Sequence, residues 1–432
     1  MPPSLPDRIG LLGLGVEGES VLRALARWGY RNDIVVISDR PGPARDGIRW
    51  ADERGLKSID LLIRSPGFAP HHPARQEADA LGVPQTTATR LFLIEAKSGC
   101  IHVIGITGSK GKSTTTTLAS LFLIAAGKTA PAIGNIGAPA LDALTTLRAG
   151  DFAVLEMSSY QCADLDTGPQ TGVLLGLFPE HMDWHGGVKP YYEAKLRLLT
   201  AQAGKGHAVV VASSVPYLPA LRGVPTVVHD VGGLHATGGW FRDADRRLWS
   251  DASMRLRGQH NRDNALAAYA ATAPLGVTPS IAESVLAQFR GLPHRQADLG
   301  DVGGIRWVDD AISTAPEAIA VALNALAGEV DTLICGGQDR GYDVTTAIEA
   351  IERSGVRNVI CLPDTGAAIA QGLANAHEVD SLALAVELAR TLTAKGRTVL
   401  FSPGGPSYHR WKNFEARGAE FIALVRKTAD AN

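Results

Sequence analysis

Ile104-Gly105-Ile106-Thr107-Gly108-Ser109-Lys110-Gly111-Lys112-Ser113-Thr114-Thr115 carries an apolar run through Gly-x-x-Gly-Lys-Ser into a segment of Thr, Leu and Ala with helical character. A strand that turns this way into a helix aims several backbone N–H groups and a helix N-terminus at one point, and an anionic phosphate is what such a point holds. Gly108 and Gly111 let the backbone curl without Cβ clashes, Lys112 supplies a point charge for the β- and γ-phosphates, and the Ser113 hydroxyl is a ligand for Mg2+. The loop is shorter than G-x-x-x-x-G-K-[ST], which would require glycine where Ile106 stands.

Toward the N-terminus the pattern is a second strand–turn–helix unit. Ile9 to Leu12 is apolar, Gly13-Leu14-Gly15-Val16-Glu17-Gly18 is the turn, Val21 to Trp28 has helical spacing, and a strand at Ile34 to Ile37 ends in Ser38-Asp39-Arg40. Glycines before a helix and an acid about 20 residues on are the parts of a nucleotide-binding βαβ unit. A further strand, Leu61 to Ile63, runs into Arg64-Ser65-Pro66-Gly67, a rigid turn at the carboxyl end where open α/β sheets take ligands. The phosphate-loop strand reads as a restart, so a first domain is predicted over 1–98.

Toward the C-terminus a helical stretch ends near Gly291-Leu292-Pro293-His294-Arg295, and a new series begins at Ile305 to Val308. Strands at Thr332 to Cys335, Val359 to Leu362 and Thr398 to Phe401 alternate with helices at Pro316 to Leu326, Val344 to Arg353, Ala367 to Leu373 and Leu382 to Leu392. Such alternation predicts a parallel sheet covered on both faces. The fold class is therefore α/β in three domains: a Rossmann-like domain at 1–98, a central phosphate-loop domain at 99–295 and a second Rossmann-like domain at 296–432. A chain of 432 residues exceeds what one core fills.

The balance of 42 basic against 44 acidic residues leaves a net charge of -2, so no global field draws nucleic acid or anionic lipid. The four cysteines form no C-x-x-C pair, which points away from zinc and disulfides, and no apolar run approaches the roughly 18 to 20 residues of a membrane span. A cytoplasmic protein, with neither nucleic acid nor membrane as partner, is the expectation.

The compact T-G-x-x-G-K-[ST] loop resembles that of the Mur ligases and folylpolyglutamate synthetases, which activate a carboxylate with ATP for attack by an amine. Gly134-Asn135-Ile136-Gly137, Leu155-Glu156-Met157-Ser158-Ser159-Tyr160-Gln161, Glu180-His181-Met182-Asp183, Tyr192-Glu193-Ala194-Lys195-Leu196, Gly258-Gln259-His260-Asn261 with Asn264, Gly291 to Arg295, and Lys412-Asn413-Phe414 follow in the Mur order. Together they resemble the glutamate-adding member of that family along nearly the whole chain. The resemblance implies ATP at Gly108, Ser109, Lys110, Gly111, Lys112, Ser113 and Thr114, with Asn264 on the adenine or ribose side and Arg295 and Asp310 over phosphate and ribose. It implies two Mg2+ sites drawing on Ser113, Glu156, His181 and a carbamylated Lys195, with Lys112, Glu156, His181 and Lys195 as the catalytic set. The UDP-linked muramoyl-alanine substrate would meet Gly15, Val16, Glu17, Asp39, Arg40, Ser65, Pro66 and Gly67, and also Ser158, while Asn135 would join Asn264 on the adenine or ribose side of ATP. Glutamate would meet Thr314, Arg340, Ser407 and Phe414, and the enzyme is expected to act as a monomer.

The amino-acid pocket departs from the family. Where D-glutamate ligases read Asp-Ser-Lys-Ala-Thr-Asn, this chain reads Asp310-Ala311-Ile312-Ser313-Thr314-Ala315, and the family's Gly-Gly-x-x-Lys ends here in Arg340. An arginine grips a carboxylate through two parallel N–H bonds where a lysine offers a point charge. Several coordinated changes in one pocket fit an inverted α-carbon, so L-glutamate is the expected acceptor, ahead of D-glutamate and then another amino acid. A nicotinamide oxidoreductase would leave Gly108–Ser113 and Glu156 without a role. A non-catalytic nucleotide sensor would not need Lys112, Glu156 and His181 together.

Overall fold

The computed structural model describes residues 5–38, 42–202, 206–217, 226–229 (backbone only), 233–256, 258–326, 328–339, 343–408 and 410–427. Asp39, Arg40 and Arg340 therefore lie outside the described residues. The apolar runs predicted as strands at Ile9–Leu12, Ile34–Ile37 and Thr398–Phe401 are strands over those bounds. The chain divides into two compact units, residues 1–289 and 290–432.

The first unit holds two parallel sheets. Strands β1 (Ile9–Leu12), β2 (Ile34–Ile37), β3 (Ile48–Ala51), β4 (Leu61–Arg64) and β5 (Gln85–Thr87) pair in the order β3-β2-β1-β4-β5. Strands β6 (His102–Thr107), β7 (Ala132–Gly134), β8 (Phe152–Glu156), β9 (Thr171–Leu174), β10 (His207–Val211) and β11 (Thr226–His229) pair in the order β11-β10-β9-β6-β8-β7. One apolar core spans both sheets: Leu91 and Phe92 from the helix Ala88–Ser98 lie in the same cluster as Leu155, Met157 and Cys162. On the other side of the second sheet, Leu118 and Phe122 of the helix Lys112–Ala125 share a core with the alanine-rich helix Gln259–Thr272, whose small side chains permit close approach.

An antiparallel ribbon of β12 (Leu234–Thr237), β13 (Trp240–Asp243) and β14 (Arg246–Ser250) closes that core. Phe241 stacks on Trp249 and Trp249 meets Tyr269 edge-on, so its inner face is aromatic. The ribbon had no counterpart in the predicted elements. Its signal was Gly238-Gly239, both with positive φ, the requirement of a tight hairpin turn.

The second unit is one sheet in the order β15-β16-β20-β17-β18-β19, formed by β15 (Ala297–Val302), β16 (Ile305–Asp309), β17 (Val330–Gly337), β18 (Asn358–Asp364), β19 (Ala376–Glu378) and β20 (Thr398–Phe401). The predicted parallel sheet gains an edge strand the sequence did not reveal, β15, which pairs antiparallel with β16 through the positive-φ turn Gly303-Gly304. The remaining pairs are parallel. The helix predicted at Ala367 to Leu373 starts earlier and spans Thr365–Ala370. Cys335 and Cys361, distant in sequence, face each other on β17 and β18 as free thiols with sulfurs 3.9 Å apart. No helix among the described residues is long and apolar enough to cross a membrane.

Candidate functional site

The phosphate loop sits at the carboxyl end of β6, in the middle of its sheet. Gly108 has φ +156°, and a Cβ there would stand 2.6 Å from Leu175 Cβ; Gly111 has φ +85°, and a Cβ there would stand 2.2 Å from Asn264 Oδ1. Both glycines are thus fixed by sterics as well as by dihedral. Gly111 caps the helix Lys112–Ala125. The loop is tied down from outside: Ser109 N donates to Gly176 O (2.9 Å), while the Ser109 hydroxyl reaches Phe178 O (2.8 Å) and Tyr191 OH (2.7 Å). The Lys112 ammonium donates to the carbonyls of Gly108 (3.0 Å) and Ser109 (2.9 Å), which holds it over the loop. Ser113 and Thr114 occupy the first helical turn, whereas Lys110 points outward to Glu180 at 2.7 Å. Asn264 accepts from the Thr115 hydroxyl at 3.3 Å, so the structure sets it directly beneath the phosphate loop.

The Gly111→Ala variant is expected to lose roughly 1–3 kcal/mol of stability through backbone strain, and to push Asn264 aside. A fall in the thermal midpoint together with a raised KM for ATP checks this.

Next to β6, β8 carries Glu156 in register with Ile106. Glu156 is 2 % exposed; its Oε1 accepts from Asn135 Nδ2 at 3.0 Å, while Oε2 is buried with no hydrogen-bond partner among the described residues. An orphaned buried carboxylate oxygen is costly unless a cation or donor meets it, so this position fits a hard divalent ion. No three His, Cys, Asp or Glu side chains converge as a ready metal cluster among the described residues. A Mg2+ site here would depend on Ser113, phosphate oxygens and Lys195 as well as Glu156.

Lys195, on the helix Val188–Thr200, is 2 % exposed and donates to Gly108 O at 2.9 Å. Burial, and after it the charge of Lys112, lowers its pKa to about 7. His181 has a left-handed backbone (φ +57°) ahead of the short helix Met182–His185, with its ring 5.0 Å from that of Tyr160. Its pKa is lowered, first by partial burial. Sequence reasoning passed over His185, whose ring bonds Ser159 Oγ at 2.9 Å and whose pKa burial lowers to about 4. It also passed over Tyr191 and Trp184; aromatic residues beside a motif read as core from sequence, and only packing distinguishes them.

The N-terminal turns approach the same segments. Gly13 has φ +91° and would clash with Phe68 and Ser65 if it bore a Cβ, and a Cβ at Gly18 would stand 2.5 Å from Gly13 O. Gly15 and the exposed Val16 begin the helix Val16–Arg27. The Glu17 carboxylate, read from sequence as a substrate contact, accepts from Gln161 Nε2 at 2.7 Å. Burial raises its pKa. The Ser65-Pro66-Gly67 turn is joined by Ser65 Oγ to Gly13 O (3.2 Å) and by Trp184 Nε1 to Gly67 O (3.1 Å). Ser158 caps the next short helix, accepting from Gln161 N at 3.2 Å.

In the second unit the remaining residues gather at the carboxyl ends of parallel strands. Asp310 follows β16 and is 3 % exposed; it accepts from Gln296 N (3.1 Å), Ser402 Oγ (3.0 Å) and Ser313 Oγ. Burial raises its pKa to about 6. Arg295 lies between two non-glycine residues with positive φ, His294 (+60°) and Gln296 (+45°), which adjacent carboxylates hold in place. His294 Nδ1 meets Asp309 Oδ2 at 2.6 Å, and Gly418 packs so closely that a Cβ there would stand 2.1 Å from His294 Nδ1. Ser407 is buried, Phe414 starts the helix Phe414–Arg426 with its ring edge-on to His294, and Thr314 is half-buried just before the helix Pro316–Ala325.

Parallel sheets that follow one another along the chain, with a phosphate cradle at a strand end of the second, fit a nucleotide-binding protein of the phosphate-loop class. Residues 106–228 match the Mur ligase middle domain. A UDP-N-acetylmuramoyl-L-alanine--L-glutamate ligase of Salinispora tropica is 37 % identical over 98 % of this chain and 98 % of its own length. One from Xanthomonas campestris pv. campestris is 32 % identical over 96 % and 94 %. The fold is similar to that of MurF from Thermotoga maritima in complex with ADP (TM-score 0.60, 17 % identity, 98 % and 95 % covered) and of MurC from the same organism (0.59, 19 %, 98 % and 99 %). The chain belongs to the Mur ligase family.

Proposed function

We propose that this enzyme joins L-glutamate to UDP-N-acetylmuramoyl-L-alanine in peptidoglycan precursor synthesis, converting ATP to ADP and phosphate. The observation that carries the reading is the Gly108–Ser113 cradle beside the orphaned oxygen of Glu156, in a chain whose relatives over nearly full length bear that activity in their names. The terminal carboxylate of the muramoyl-alanine attacks the γ-phosphorus of ATP, giving an acyl phosphate and ADP. The glutamate amine then attacks the acyl carbon, phosphate leaves, and the nitrogen gives up a proton. No side-chain nucleophile is required; the protein's task is to hold mutually repelling anions in line and to neutralise charge as it develops.

Lys112 would serve the outer phosphates, with backbone N–H groups of Gly108 to Thr114 around them. Mg2+, when bound, supplies the remaining charge neutralisation, and Ser113, Glu156, His181 and carbamylated Lys195 are the residues proposed to hold it. A pKa of about 7 favours the modification, because only a neutral amine adds to CO2, forming a carbamate and releasing a proton. Asn135, Asn264, Arg295 and Asp310 are assigned to ATP, and Gly15, Val16, Ser65, Pro66, Gly67 and Ser158 to the UDP-substrate. Thr314, Ser407 and Phe414 are assigned to glutamate, as is Arg340. In domain terms, 1–98 would receive the UDP-substrate, 99–295 ATP and 296–432 glutamate.

Phosphate release measured with ATP, Mg2+ and UDP-N-acetylmuramoyl-L-alanine tests this, with L- and D-glutamate supplied separately. Turnover with L-glutamate at least roughly tenfold above that with D-glutamate is expected, since a pocket built around two carboxylates and an amine rejects an inverted centre. Preference for D-glutamate would reverse the stereochemical assignment. Inactivity with both would remove the substrate assignment.

A further inference from the structure

The side chain of Gln161 is used at both ends. Its Oε1 accepts from Ser158 N at 2.8 Å, closing a reciprocal cap on the segment that follows Glu156, and its Nε2 donates to Glu17 Oε1 at 2.7 Å. Glu17 belongs to the first turn of the helix Val16–Arg27, 144 residues away, directly after the Gly13–Gly15 turn. Its second oxygen is buried without a hydrogen-bond partner among the described residues. Arg64 is also buried, and paired with Asp164. An acceptor held this way fixes the amide of Gln161 in one orientation, and with it the Ser158 backbone two residues beyond Glu156.

We propose that Glu17 is a positioning residue for catalysis: acting through Gln161, it sets the Glu156–Ser158 strand end, and so couples the first glycine turn to the place where Mg–ATP is used. The inference rests on the assignment of Glu156 and the Gly108–Ser113 loop made above. It differs from a contact role in a measurable way. A substrate contact changes KM for the UDP-substrate, whereas a group that aligns Glu156 changes kcat and the response to Mg2+. A second tie, from Trp184 Nε1 to Gly67 O, supports the neighbouring turn independently, so loss of Glu17 alone does not release the N-terminal sheet.

The test uses the full chain with ATP, MgCl2, UDP-N-acetylmuramoyl-L-alanine and L-glutamate. Glu17→Ala is expected to lower kcat on the order of tenfold and to raise the Mg2+ concentration for half-activity, with KM for the UDP-substrate within about twofold, since misplacement of a metal-facing group is costly. Glu17→Gln keeps an oxygen to accept from Gln161 and is expected to recover kcat to within about threefold of the parent. Calorimetric affinity for ATP with MgCl2 gives a readout that needs no turnover: it should weaken in Glu17→Ala and recover in Glu17→Gln, even if the glutamate assignment fails. An unchanged kcat and Mg2+ response in Glu17→Ala overturns the proposal. So does a rise confined to KM for the UDP-substrate, or a Glu17→Gln variant as impaired as the alanine. If Glu17→Ala fails to fold, Glu17→Gln against Glu17→Met, both compared by calorimetry, carries the same decision.

Discussion

Replacing Lys112 with alanine is expected to lower kcat by roughly 10³-fold while leaving the fold intact, because removal of one preorganised donor aimed at developing charge costs this much in acyl- and phosphoryl-transfer sites. Its ammonium donates to the loop carbonyls of Gly108 and Ser109, at 3.0 and 2.9 Å. A neutral oxygen deprived of such a donor is penalised far less than a stranded charge. Steady-state phosphate release and the thermal midpoint, measured together, separate a chemical loss from a folding loss. A variant within about tenfold of the parent would remove the cradle from the mechanism.

Lys195→Ala is expected to cost roughly 10²-fold to 10³-fold in kcat, since the proposed carbamate, an anionic group placed to hold Mg2+, would be lost. Intact-mass spectrometry in bicarbonate buffer should find the added mass of one CO2 on the parent and none on the variant. The sign of the pH effect follows from the lowered pKa. The unmodified lysine is neutral in the folded chain above about 7 but stays protonated in the unfolded chain until about 10.5, its ordinary value. Between those limits the unfolded state binds more protons, so stability of the unmodified protein rises with pH across that window. Thermal midpoints in CO2-free buffer at about pH 7 and about pH 9 should show the rise, and Lys195→Met should flatten it.

Much of the fold was legible because the chain marks its parallel strands with short apolar runs and their ends with glycine or a polar turn. The Gly108–Ser113 loop and the Gly13–Gly18 turn could be placed at strand ends from spacing alone, since phosphate chemistry leaves few other uses for Gly-x-x-Gly-Lys-Ser. The three antiparallel pairings, β12 with β13, β13 with β14 and β15 with β16, were missed, although the strand at Ile305 to Val308 was predicted. Charged stretches within these elements, such as Asp243 to Arg247 and Asp298 to Asp301, leave an alternation too weak to read as strand. The bond between Glu17 and Gln161 was illegible for a different reason: a carboxylate at a helix start is favoured by the helix dipole whether it faces solvent or protein, and only the three-dimensional approach of Gln161 decides. The same holds for His294 and Asp309, whose pairing depends on a turn that sequence reads merely as punctuation.

Gly418 sits inside the helix Phe414–Arg426, where glycine sacrifices roughly 1 kcal/mol of intrinsic preference relative to alanine. The imidazole of His294 occupies the space a methyl would need, so ordinary selection for a firmer helix is blocked at this position as long as that ring remains. Residues 294 and 418 consequently cannot drift apart one substitution at a time: an alanine at 418 becomes tolerable only in a lineage that has already surrendered the histidine.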